Sequence, residues 1–146
     1  MDKEVIKFMV KAKQAIFSRQ VERIESTRPK SGDYLFAEGN LKYIDTFIGN
    51  CNFAGEEALW RDDVPFWSMN YIGRTLSDKF EIGFLTEALT LVSQEHPYRG
   101  PAHHTKGDFS YKYTMQGDFE WFWGVEEVFY KDEKVYELMF HGGALK

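Results

Sequence analysis

The chain has one cysteine, Cys51, so no disulfide can form within it, and a reducing compartment, the cytoplasm, is its expected setting. Cys51 sits in the turn-like stretch Gly49-Asn50-Cys51-Asn52, with no neighbouring base to lower its pKa, which gives no ground for a catalytic thiol. No apolar run approaches the ~20 residues that cross a bilayer. Lysines at positions 3, 7, 11 and 13 interrupt any leader-like segment, so no membrane association is expected. Cations are in deficit, with 18 Lys and Arg against 23 Asp and Glu and a net charge of -5, which argues against a surface that wraps nucleic acid. The shortage is uneven. Residues 1–30 hold eight basic and four acidic residues, read as a solvated positive helix face beside an acidic body.

Several chemical signatures are also missing. There is no His-Glu-x-x-His pattern, no paired cysteine and no His-x-His, and His96, His103, His104 and His141 lack ligand spacing, so no metal is expected. Ser68 lies outside any Gly-x-Ser-x-Gly elbow, and no glycine-rich loop could cradle a phosphate. No cofactor is expected.

Aromatics are what the sequence has in excess: 13 Phe, 8 Tyr and 4 Trp. They favour strands and call for a large apolar core or a lined cleft. With 43% hydrophobic and 28% charged residues, the 146 residues suit a single globular domain spanning 1–146. Asp2 is placed to cap a helix reaching Phe17, with Val5, Met9, Ala12 and Ile16 on one stripe and Lys3, Lys7 and Lys11 on another face. From Tyr34 the period changes to two, and strands read at 34–38, 41–48, 53–60 and 64–72, joined by turns too short for crossovers. A second helix follows, with Asp78 and Glu81 as a capping box and Phe84, Leu85, Ala88 and Leu91 as its apolar stripe, expected to pack on Trp67, Met69 and Trp121. Residues 97–107 read as a loop, and three strands close the chain. The expected fold class is α+β: a single curved antiparallel sheet of about six to seven strands with two helices on one face, in the order α-β4-α-β3.

The 97–107 loop carries Arg99, whose guanidinium fork could hold a carboxylate or phosphate. Glu56, Asn70, Tyr71, Glu120 and His141 are polar or amphipathic groups within aromatic strands, where burial without a partner is costly. If the loop folds over one end of the sheet, Arg99 faces these five and the six form a binding site. Paired acids Glu56-Glu57 and Glu126-Glu127 could each turn one member inward.

The segments Phe53-Ala54-Gly55-Glu56-Glu57, Trp67-Ser68-Met69-Asn70-Tyr71-Ile72-Gly73, Pro97-Tyr98-Arg99-Gly100-Pro101, Gly117-Asp118-Phe119-Glu120-Trp121-Phe122 and Phe140-His141-Gly142-Gly143 together resemble a bacterial family of domains of unknown function. Its members occur alone or behind an XRE-type helix-turn-helix domain, which implies a sensory or regulatory context. The chain departs from the fused members in having no helix-turn-helix before residue 34, which removes the basis for direct DNA binding. The leading expectation is therefore a module that binds a small polar or anionic molecule in an aromatic-lined cleft. The alternatives are a homodimeric interaction domain without a ligand, and an enzyme using a Glu or His base in the same cleft.

Overall fold

The computed structural model describes residues 2–146. Helix α1 spans Lys3–Phe17, and the Asp2 carboxylate accepts a hydrogen bond from the Glu4 N–H at 2.9 Å, as a cap should. Strands β1 (Gly32–Glu38), β2 (Leu41–Gly49), β3 (Asn52–Arg61) and β4 (Val64–Thr75) form the expected meander. Helix α2 (Ile82–Thr90) then leads to β5 (His103–Lys106), β6 (Phe109–Asp118), β7 (Trp121–Tyr130) and β8 (Glu133–Ala144).

All eight strands join one antiparallel sheet in the order β1-β2-β3-β4-β8-β7-β6-β5, so the element order is α-β4-α-β4. The additional strand is β5. Its four residues pair with β6 in the second half of the segment read as a loop, and a strand this short has no periodicity to read. Before β1, Ile24 forms an isolated bridge with Asp33.

The capping box of the second helix does not form. Glu81 is the N-cap residue without a side-chain bond, and the helix starts at Ile82, next to Gly83. Leu91 lies just past the helix end and is exposed, while Leu89 takes the fourth buried position beside Phe84, Leu85 and Ala88. Trp121 also points away from the core. Strand β7 runs with Phe122, Glu126 and Val128 inward, which sends Trp121 and Trp123 outward.

The second four strands repeat the first at a spacing of 69 residues. Phe53, Gly55, Glu57 and Gly73 recur as Phe122, Gly124, Glu126 and Gly142. The register of β3 with β4 slips after Leu59, and that of β7 with β8 slips after Val128. Gly49 and Gly117 end β2 and β6 equivalently, with φ of 96° and 93°. At either position a Cβ would lie 2.2 or 2.0 Å from the carbonyl oxygen of Asn52 or Trp121, so only glycine fits. Their spacing is 68 because the second turn is one residue longer. Strands β4 and β8, at the centre, are thus equivalent strands paired with each other.

Both helices pack on one face, the inner face. Phe8 of α1 meets Phe36 of β1 at 5.7 Å, and Phe84 of α2 meets Phe109 of β6 at 5.2 Å. Trp67 stacks on Phe119 at 4.8 Å and donates its indole N–H to the Phe119 carbonyl. Leu85 is 3% exposed between helix and sheet. Leu85→Ala should lower stability by about 2–5 kcal/mol in urea unfolding, the usual cost of a buried leucine. A loss under about half a kcal/mol would contradict this packing.

Candidate functional site

Alternate residues of a strand face opposite sides, and this divides the six predicted site residues. Glu56, Asn70 and His141 lie on the outer face, in one cross-strand row: Glu56 is paired with Asn70, Asn70 with His141, and His141 with Trp123. Tyr71 lies on the inner face, buried. Arg99 is also inside and does not face the outer row. Its guanidinium holds Glu126 bidentately at 2.9 and 3.0 Å. Glu120 sits exposed in the turn before β7, where its carbonyl accepts the Ala144 N–H.

Inside, the sheet carries a charged network that the sequence reading missed. Tyr43 donates to Glu57, and Lys13 of α1 reaches the same carboxylate at 3.3 Å. In the second half Tyr111 and Tyr136 donate to Glu126, which Arg99 neutralises. Each half therefore builds a tyrosine–glutamate–cation unit on equivalent strands, with the cation delivered by a different segment. Lys13 also donates to the Tyr98 carbonyl, which ties α1 to the segment that presents Arg99. Two sequence signals pointed here: the 69-residue recurrence of the inward glutamates, and Lys13 four residues after Met9 on the apolar stripe of α1. Breaking a buried pair by removing one partner costs roughly 3–5 kcal/mol, because the other charge is left stranded.

The inner network holds a third carboxylate, Asp45, directly across from Glu57 and bonded to the Tyr71 hydroxyl at 2.6 Å. Burial, then the Glu57 charge, push its pKa up to about 7 against the pull of Tyr71, Arg99 and Lys13. Lys13 is shifted downward by its burial, with Glu57 opposing the shift. At the edge of the outer face Asp33 behaves oppositely: burial alone would raise it, but hydrogen bonds from Thr46, Thr27 and Ser31 outweigh that and hold it at about 2.

The sign of the pH dependence follows. Folded Asp45 keeps its proton to about pH 7, whereas the unfolded residue loses it near 3.8, so the native state loses stability as pH rises through that window. Asp33 acts only below 3.8, where stability falls as pH falls towards 2. Asp45→Asn keeps an acceptor for Tyr71 and removes the titration. It should match the wild type near pH 4 and be the more stable protein above pH 7, read as urea midpoints across pH. Parallel profiles for the two proteins would contradict the assignment.

The outer face is open, since both helices lie on the other side. Two depressions meet at Asn70. One, of about 390 Å³, is lined by Trp121, Trp123, His141, Gly143 and Leu145; the other, of about 450 Å³, by Arg28, Thr46, Ile48 and Glu56. Trp121 is 72% exposed and Trp123 50%. Among the described residues, the side chains of Glu56, Asn70 and His141 make no hydrogen bond within the chain, whereas Arg28 donates to the Thr46 hydroxyl at 2.9 Å. No three His, Cys, Asp or Glu side chains of the described residues come together as a metal site. His104 instead stacks on Phe84 and lies 3.1 Å from Glu87. No described helix is long and apolar enough to cross a membrane.

No curated protein matches the chain, and no solved structure does. A family model does match, over residues 45–145, from within β2 to just past β8. The match takes in the whole outer row from Glu56 to Trp123 and both inward glutamates, and stops short of Lys13 and Tyr43. Spanning more than half of the sequence, it establishes that the chain belongs to the DUF5680 family, a domain of unknown function.

Proposed function

We propose that the chain is a binding module that holds a small polar molecule on the open face of its sheet, in a sensory or regulatory role. The observation that carries this reading is the exposure of Trp121 and Trp123 beside Asn70, His141 and Glu56, whose polar groups have no partner among the described residues. Leaving a large apolar side chain in water forgoes on the order of 2 kcal/mol of burial, a cost that a bound molecule would recover. Arg99, whose fork suggested an anion, is committed to Glu126, so the polar ligand is retained and the anionic one loses its anchor. Glu56 and His141 flank Asn70 two strand spacings apart, about 9.5 Å. Among the described residues their side chains are not hydrogen-bonded to each other, and the row suits holding a molecule better than acid–base chemistry.

A metabolite panel screened by thermal shift tests the reading. A true ligand should raise the melting midpoint by several degrees, corresponding to about 2.7 kcal/mol at a hundredfold excess over Kd. Trp123→Ala and Asn70→Ala should each abolish that rise while moving the unliganded midpoint little. A shift that survives both substitutions would place the site elsewhere.

One observation favours self-association as a second reading. In the next row of the same face, Ile48, Ile72 and Met139 are each more than two-fifths exposed. A second copy packed on this row would appear as a dimer in sedimentation equilibrium, and Met139→Lys would dissociate it. A monomer at high concentration removes this reading.

A further inference from the structure

We infer that the molecule held on the open face is a neutral or cationic planar heterocycle of purine size, an inference that rests on the open-face reading. Three features of the trough around Gly143 carry it. The first is shape. Gly143 lies between Trp121 of β7 and Ser68 of β4, so a side chain is missing from the middle of the row and the floor there is bare backbone. A Cβ at Gly143 would strike the Glu120 carbonyl at 2.2 Å, so the gap is fixed by the backbone. From Trp121 to Ser68 is about 9.5 Å, and Trp121 and Trp123 stand about 6.8 Å apart along their strand. The second spacing admits one flat ring in van der Waals contact with an indole on each side.

The second feature is the polar edge. Close to the indoles the trough offers three polar side chains, Ser68, Asn70 and His141. Asn70 presents an amide donor and acceptor side by side, the pattern that pairs with the adjacent amino group and ring nitrogen of an adenine edge. A sugar, with a hydroxyl on nearly every ring carbon, would leave most of them unsatisfied against the apolar remainder of the lining. The third feature is charge. No Lys or Arg lines this trough; Glu56 is next in the row; and Arg28 lies in the other depression, bonded to Thr46. With a net charge of -5 on the chain, phosphate groups are repelled, so the occupant is a free base or nucleoside and not a nucleotide or a nucleic acid strand.

Isothermal titration of the whole chain with adenosine, guanosine, adenosine monophosphate and maltose tests this. At least one nucleoside should bind saturably and more tightly than the monophosphate, and should quench indole fluorescence. Trp121→Ala, Trp123→Ala and Asn70→Ala should each weaken nucleoside binding by about tenfold or more, as loss of a stacking or base-edge contact does. Melting curves should show that all three variants fold. Absence of saturable nucleoside binding into the millimolar range, or tighter binding of the monophosphate, overturns the inference. Maltose binding that is lost in the same variants overturns the heterocycle while leaving the open-face site standing. Nucleoside binding unchanged in all three variants overturns both.

Discussion

Two buried glutamates hold the architecture together. Glu57 and Glu126 point into an interior rich in aromatic rings, and each meets a tyrosine hydroxyl and a buried cation there, as a buried carboxylate must. The cations come from α1 and from the segment after α2, so one ion pair fixes where α1 sits on the sheet and the other fixes the segment that presents Arg99. The apolar contacts set how strongly the layers adhere, and the charged units set where. Lys13, bonded to both Glu57 and the Tyr98 carbonyl, joins the two arrangements into one network.

With the inner face committed in this way, the two faces of the sheet differ in kind. The inner one is filled, and its polar groups are satisfied: among the described residues no buried side-chain nitrogen or oxygen lacks a partner. The outer one has the reverse character, with unengaged amide, imidazole and carboxylate groups next to exposed indoles. Interior groups without slack are typical of a scaffold, and surface groups without partners are typical of a place where something binds. The family match spans the four strands that present this row, β3, β4, β8 and β7, so the feature lies in the part of the chain that the family shares.

Much of the fold was legible because alternation and helical stripes are written directly in side-chain type. The first helix with its Asp2 cap, the first four strands and the antiparallel meander could be read from periodicity and turns alone. What failed was parity. In Glu56-Glu57 and Glu126-Glu127 composition cannot say which glutamate faces inward, and a slip of one residue moves a group from one side of the sheet to the other. Glu56, Asn70 and His141 pair directly across neighbouring strands, which puts them on one face in one row. Tyr71, one residue from Asn70, has the opposite parity and joins Asp45 inside. Trp121, expected to pack under the second helix, faces outward, whereas Phe119, tucked in from the turn, fills the place beside Trp67. Arg99 is the buried cation of its segment, but its partner Glu126 depends on strand pairing far along the chain, which local pattern does not encode.

The central pairing of β4 with β8 is the seam at which the two halves of the repeat meet. Both strands are long, and nine residue pairs join them, from Trp67 with Ala144 to Thr75 with Tyr136. A polypeptide ending after β4 would carry that whole ladder as a bare edge, with its own helix and meander already in place. The same holds for one beginning before α2. Since the two strands are equivalent in the repeat, such an edge could be closed by the other half or by a second copy of itself. The covalent link through residues 76–81 favours the first outcome by holding the correct partner at high local concentration. The seam is thus an interface between two similar bodies made permanent by a short tether.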